Sequence, residues 1–178
     1  MSEKKVRLAT IWIDGCSGCH MSLLDIDEAI EIVAQKVDIV YGPLVDAQKF
    51  PENVDVTLIE GAVSSQEDLE KVQTIRERSK LVVALGDCAV TSNVPAMRNS
   101  FPVKMLLERV YVEGVQAQPG VPTDGVPKLL KRAVPVQEIV KVDVHVPGCP
   151  PSAKTILFVL TELLAGRLPD FGSTVKFG

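Results

Sequence analysis

Apolar positions along the chain fall into short β-branched runs that alternate with stretches of helical spacing. Residues 6–13 form the first run, closed by Asp14-Gly15, and their length and β-branched content predict a buried strand. After it, Ser22 precedes Leu23, Leu24, Ile26, Ala29, Ile30, Ile32 and Val33, with acids at Asp25, Asp27, Glu28 and Glu31. That spacing predicts an amphipathic helix capped by Ser22, its acids forming a solvated face near the favourable N-terminal end. Residues 37–45 read as a second strand, ended by Gly42-Pro43 or soon after, and residues 54–59 as a third, ended by Glu60-Gly61. Ser64 and Ser65 each have an acid three residues on, which offers capping boxes for a helix through Leu69, Val72 and Ile75 to about Ser79. Lys71, Arg76, Arg78 and Lys80 read as its solvated face. Residues 81–85 make a fourth strand, stopped by Gly86-Asp87-Cys88.

Residues 89–135 are less regular and hold most of the prolines. They read as an excursion from the core, with a helix over 103–111 and a short one over 128–132. Val140, Val142, Val144 and Val146 alternate as a fifth strand, cut off by Pro147-Gly148-Cys149-Pro150-Pro151. Ser152 then caps a last helix carrying Ile156, Leu157, Val159, Leu160, Leu163 and Leu164, and Gly166 is its stop. Strands alternating with helices predict an α/β fold of one domain over 1–178, a flavodoxin-like, doubly wound parallel sheet with helices on both faces. In such sheets ligands bind outside the carboxyl ends of the strands.

Composition narrows the field. The chain has 178 residues, 46% of them hydrophobic, enough to bury a core and to exclude a disordered or fibrous chain. Its formal charge of −4 carries no footprint for wrapping nucleic acid. No apolar run reaches the roughly 18 residues of a membrane span, and the N-terminal segment has no small-residue cleavage site of a secretory signal. The expected address is the cytoplasm.

There a set of four cysteines points to metal or redox chemistry more than to disulfides. Cys16 and Cys19 follow the first predicted strand, Cys88 the fourth and Cys149 the fifth. All four should therefore gather at one edge of the sheet. Four such thiolates suit a tetrahedral zinc or an iron-sulfur cluster. Structural zinc more often uses two short ligand pairs, and only one is present; a 4Fe-4S cluster tolerates single ligands set far apart, and glycines beside the cysteines let backbone approach it. A thiol redox role has support from Cys16-Ser17-Gly18-Cys19 at a helix start, but it leaves Cys88 and Cys149 unexplained. Packing alone would explain either single cysteine, though not their shared position at strand ends.

Gly15-Cys16-Ser17-Gly18-Cys19-His20-Met21-Ser22-Leu23-Leu24-Asp25, Glu60-Gly61-Ala62-Val63, Gly86-Asp87-Cys88 and Pro147-Gly148-Cys149-Pro150-Pro151 together resemble the small subunits of nickel-iron hydrogenases over nearly the whole chain. The resemblance implies that Cys16, Cys19, Cys88 and Cys149 ligate one proximal 4Fe-4S cluster on a flavodoxin-like domain facing the nickel-iron site of a large subunit. Periplasmic members add a twin-arginine signal and a further cysteine-rich domain, and coenzyme F420 members add ferredoxin-like clusters. The chain shows none of these and is similar instead to the short (delta) small subunits of cytoplasmic, bidirectional NAD-reducing hydrogenases. The cluster-bearing, quinone-linked subunit of complex I is also similar, but typically has adjacent cysteines where Cys16 and Cys19 are separated by two residues.

One cluster passes one electron at a time, while hydrogen oxidation and NAD reduction each move two. The implied partners are therefore a nickel-iron large subunit and an iron-sulfur/flavin diaphorase, in an obligate hetero-oligomer. No Gly-x-Gly-x-x-Gly is present, so NAD should bind a partner subunit. FMN has been considered for this subfamily, and the fold permits it, but no residue pattern supports it. Glu60, ending the strand between the first and fourth, should point toward the cluster region, as a hydrogen-bonded loop residue or as a group tuning proton or electron traffic. His20 could serve cluster sulfur or a partner, or be an ordinary hydrogen-bonded histidine. His145 reads as structural, and Trp12 as packing beneath the cluster loop.

Overall fold

The computed structural model describes residues 5–172. Its core is a parallel sheet of β1 (Val6–Trp12), β2 (Val37–Tyr41), β3 (Val54–Glu60), β5 (Ser79–Leu85) and β7 (Val144–Val146), in the order β2-β1-β3-β5-β7. That is the flavodoxin-like order: the chain steps from β1 to β2 on one side, then crosses back to β3 on the other, which makes the switch point between β1 and β3. A second, antiparallel pair joins β4 (Val63–Ser65) to β6 (Leu129–Val134).

Both faces of the central strands β1, β3 and β5 are largely buried, which is why they read as unbroken apolar runs. On one face Val56, Leu58, Val83 and Leu85 pack on Ile156, Val159, Leu160 and Leu163 of α6 (Ala153–Leu164), with help from α1 (Gly18–Leu24) and α2 (Ala29–Lys36). On the other, Ile59, Val82 and Ala84 meet Val72 and Ile75 of α3 (Gln66–Arg78) and Ala89 of α4 (Asp87–Thr91). The capping box of α3 is formed by Ser65, whose Oγ accepts from Asp68 N at 3.1 Å while Asp68 Oδ2 accepts from Ser65 N at 2.9 Å. Ser152 caps α6 by accepting from Thr155 N, and Gly166 follows its end at φ +73°.

Several expectations are corrected. The helix expected over 128–132 is absent: residues 129–132 belong to strand β6, where Arg98 and Asn99 supply its neighbours, Asn99 Nδ2 donating to Ala133 O and Asn99 Oδ1 accepting from Ala133 N, both at 2.8 Å. The first predicted helix is two, α1 and α2, broken at Asp25–Glu28 where Asp27 takes φ +50°. The second strand stops at Tyr41. The helix over 103–111 is α5 (Val103–Glu108) running into a π turn, Arg109–Glu113. The fifth strand is only Val144–Val146, because Asp143 Oδ2 takes Val82 N at 2.9 Å where a longer strand would continue the ladder.

Nor is the basic face of α3 simply solvated. Arg76 donates to Asp143 Oδ2 at 2.6 Å and to the Ser79 and Lys80 carbonyls at 2.6 and 2.8 Å, binding α3 to the start of β5 and β7. Arg78 donates to Phe50 O at 2.7 Å, and Lys80 pairs with Asp55.

Candidate metal centre

Register brings the strand ends level. Trp12 of β1 pairs with Glu60 of β3, Glu60 with Leu85 of β5, and Leu85 with Val146 of β7. The chain leaves this row at four adjacent points, and every cysteine lies within seven residues of it. Cys16 lies in the turn after β1, Cys19 in the first turn of α1, Cys88 in the first turn of α4 and Cys149 in the turn before α6. All four are free thiols, Cys19 buried, Cys88 half-buried, Cys16 and Cys149 exposed. The placement expected from sequence is thus met, although the residues span 134 positions of chain.

Bonds between the turns fix them to one another. Gly86 N donates to Val146 O at 2.7 Å, Asp87 N to Gly148 O at 2.9 Å, and Gly148 N to Asp87 Oδ1 at 2.7 Å, so the Cys88 and Cys149 turns are pinned side by side. Ser22 Oγ donates to Pro151 O at 2.6 Å, tying α1 to the Cys149 turn. Ser22 is therefore not the helix cap that the sequence predicts but a buried link inside α1. Asn93 Nδ2 reaches Cys149 Sγ at 3.4 Å, and the Val94 N–H donates to the Cys88 sulfur.

Glu60 lies at the centre, 2% exposed. Its Oε1 accepts from Cys19 N at 3.3 Å; its Oε2 accepts from His20 N at 3.0 Å and contacts His20 Nδ1 at 2.5 Å. One carboxylate thus holds the first turn of α1, satisfying N–H groups that a helix start leaves without partners. His20 Nε2 is buried without a hydrogen-bond partner among the described residues. His20 is accordingly a bonded group of the site, with Glu60 as its anchor. Trp12 is 47% exposed instead of packed beneath the loop, and its Nε1 donates to Gly15 O at 2.9 Å, bracing the loop from outside. His145 is exposed on β7.

The electrostatics of the bare thiols ask for a cation. Burial pushes the Cys19 thiol well above the usual range, and the charges of Glu60, Cys88, Cys16 and Cys149 push it further. Burial also raises Cys88, with Cys149 and Cys16 adding to it against the Val94 N–H. Four thiolates at this edge are compatible only with positive charge among them. They feel one another's charge, yet no three His, Cys, Asp or Glu side chains among the described residues close to the spacing of a single bound ion.

Glycine makes the room. Gly86 sits at φ +83°, and a Cβ on it would stand 2.2 Å from Cys19 Sγ. Gly148, at φ +132°, lies so close to Pro151 that a Cβ would be 2.6 Å from its Cα. Thiolate ligands, N–H donors to sulfur and a cleared backbone are what an iron-sulfur cluster requires of its host. The donor set fits such a group. Sequence reasoning found the cysteines and Glu60 but missed Asp87, Ser22 and Asn93. Asp87, directly before Cys88, and Ser22, polar within an apolar helix face, were the available signals.

Comparison with known proteins agrees with this geometry. Residues 16–163 match the family described as NADH ubiquinone oxidoreductase, 20 Kd subunit. The chain is 37% identical over 98% of its length to the delta subunit of the NAD-reducing hydrogenase HoxS of Cupriavidus necator, covering 86% of that protein. It is 36% identical over 96% of its length to a subunit of the F420-non-reducing hydrogenase vhu of Methanocaldococcus jannaschii, but spans only 60% of that subunit. Among solved structures, a chain of an NAD+-reducing [NiFe]-hydrogenase in the H2-reduced state superimposes with a TM-score of 0.92 at 39% identity, over 98% of this chain and 100% of that one.

Proposed function

Given that the chain belongs to the NADH ubiquinone oxidoreductase 20 kDa subunit family, together with the delta subunits of NAD-reducing hydrogenases, we propose that it is the electron-transfer small subunit of a nickel-iron hydrogenase. In this reading Cys16, Cys19, Cys88 and Cys149 hold one 4Fe-4S cluster, and residues 1–178 act as a single flavodoxin-like unit. The cluster supplies one-electron transfer between the nickel-iron site of a large subunit and a diaphorase that reduces NAD. The observation that carries the reading is the level row of strand ends that delivers four mutually repelling thiols to one edge.

Each part of the edge has a task. Asp87 and Ser22 hold the ligand turns in register. The amides of Asn93's side chain and Val94's backbone stabilise charge on the sulfurs of Cys149 and Cys88, as N–H donors do in such sites. Glu60 places Cys19 and His20 and, by its charge, tunes electron traffic at the edge. The sheet, buried on both faces, excludes water from below, and the exposed side of Cys16 and Cys149 is where the large subunit closes the site.

Hydrogenase and complex I-type subunits share this family; the hydrogenase reading is favoured by the near-full-length match to a delta subunit. One short ligand pair with two single cysteines set far apart favours a cluster over zinc, which more often uses two short pairs. Among the described residues no helix is long and apolar enough to cross a membrane. The test is metal and sulfide analysis of this subunit separated anaerobically from its complex, with low-temperature EPR of the reduced complex. Iron and sulfide near four each per chain are expected; stoichiometric zinc with little iron would refute the proposal.

A further inference from the structure

The β1–β2 side of the molecule is left open. Between these strands and α1–α2 lies an apolar cavity of about 420 Å3. Of its lining, Trp12, Met21, Leu24, Ile39 and Leu44 are 47%, 64%, 52%, 50% and 87% exposed. Large apolar side chains gathered around one opening mark a surface made to be covered. β2 is also the outer strand of the sheet, and an uncovered edge is itself a place for a partner to dock.

Charge selects the partner. Residues 21–48 contain six acids, Asp25, Asp27, Glu28, Glu31, Asp38 and Asp46, and one base, Lys36; the rest of the chain has 18 basic residues and 17 acidic ones. The net negative charge of the chain therefore resides in the segment that lines the cavity. All six acids are exposed, and the ion pairs of the described residues all use other acids. An apolar lining carried on a segment whose exposed acids make no ion pair among the described residues fits an amphipathic protein segment whose large apolar side chains enter the cavity while flanking Lys and Arg meet the acids. A small organic ligand fits less well, since Thr10, Ser17 and His20 are the few polar groups on offer and Glu60 already holds His20, whereas ligand pockets place polar groups to fix orientation.

The cavity also reaches the centre, because Ser17, His20 and Met21, which line it, flank Cys16 and Cys19. Resting on the electron-transfer reading, we infer that this acidic, apolar-cored surface docks the electron-accepting partner subunit. One electron lost by the reduced cluster then reduces the partner's own iron-sulfur or flavin centre by one, with no bond made or broken.

The test uses the purified hetero-oligomer. Two variants are made: Asp25→Lys/Glu28→Lys/Glu31→Lys, and Leu44→Glu, all at exposed positions that leave the core untouched. The charge reversal is expected to weaken diaphorase binding about tenfold at low salt, with the difference shrinking at high salt; Leu44→Glu should weaken it at every salt concentration. Hydrogen-dependent NAD reduction should fall in both, while hydrogen-dependent reduction of benzyl viologen, bound large subunit and iron content stay at wild-type levels. Unchanged diaphorase affinity in both variants, or loss of the large subunit instead, would each overturn the inference while leaving the cluster reading intact. Absence of iron from this subunit, separated from the wild-type complex, would overturn the cluster reading and this inference with it.

Discussion

Gly86→Ala is a perturbation whose consequence can be worked out atom by atom. The new Cβ would stand 2.2 Å from Cys19 Sγ, while its other neighbours, Gly148 O at 3.4 Å and Pro151 Cδ at 3.6 Å, are at ordinary contact. To reach ordinary contact at 3.4 Å the sulfur must retreat by about 1.2 Å, whereas metal–ligand distances tolerate only about 0.2 Å. Without metal the thiol simply swings away, leaving the cost of an alanine at φ +83°, ψ 163°, a backbone region essentially reserved for glycine, roughly 1–3 kcal/mol. A domain of ordinary stability, about 5–15 kcal/mol, survives that. The variant should therefore fold and assemble but lose cluster iron. Gly18→Ala is the internal control: its Cβ would lie 3.2 Å from Cys16 Sγ, a conflict relieved by a few tenths of an ångström, and iron should stay close to wild type. Circular dichroism and iron and sulfide content, measured on anaerobic preparations of both, decide the matter. Full iron and sulfide in a folded Gly86→Ala protein would show that Cys19 is not a ligand.

Glu60→Gln removes a charge beside Cys19 and one acceptor from three N–H contacts, so the cluster's midpoint potential should rise and kinetics change across pH; an unaltered potential would leave Glu60 only its structural role. Cys88→Ser should abolish or sharply reduce hydrogen-dependent NAD reduction while subunit assembly is partly kept, and wild-type turnover would exclude Cys88 as an essential ligand. Ser22→Ala strands a buried carbonyl, Pro151 O, and should cost about 1–3 kcal/mol in denaturant unfolding. Burial opposes ionisation of Asp143, but the Val82 N–H and Arg76 outweigh it and hold its carboxyl below the usual range. Its ionised form therefore stabilises the fold above the unfolded value near about 3.9, and that contribution is lost as pH falls through the depressed folded value. Asp143→Asn should lower the melting temperature at neutral pH, and a deficit that persists unchanged in strong acid would contradict this assignment.

The sheet was legible because its strands are buried on both faces and so read as apolar runs ended by glycine or an acid; strand order followed from their alternation with helices. Capping by Ser65 and Ser152 was legible because side chain and helix are neighbours in sequence. What escaped depended on distant partners. Residues 129–134 lack any strand pattern strong enough to compete, and become β6 by pairing with β4, more than sixty residues earlier, while Asn99 bonds Ala133. Arg76 looked like one more surface cation until Asp143, 67 residues away, met it. In the site the cysteines could be placed by topology alone, since each follows a strand. The links that hold their turns, Asp87 to Gly148 and Ser22 to Pro151, join pairs 61 and 129 residues apart and leave no local mark.

Those links bear on the speed of electron transfer. Because Asp87, Ser22 and Glu60 bind backbone groups of the ligand turns to one another, the turns are held by protein bonds and do not depend on metal for their shape. Adding or removing an electron then finds a host with few soft coordinates able to relax, set on strand ends whose packing resists displacement. With the proposed cluster bound, the same bonds that keep its ligands in register would keep the reorganisation energy of the centre small. Severing one of them should slow electron exchange even where the cluster, its potential and the fold are all retained.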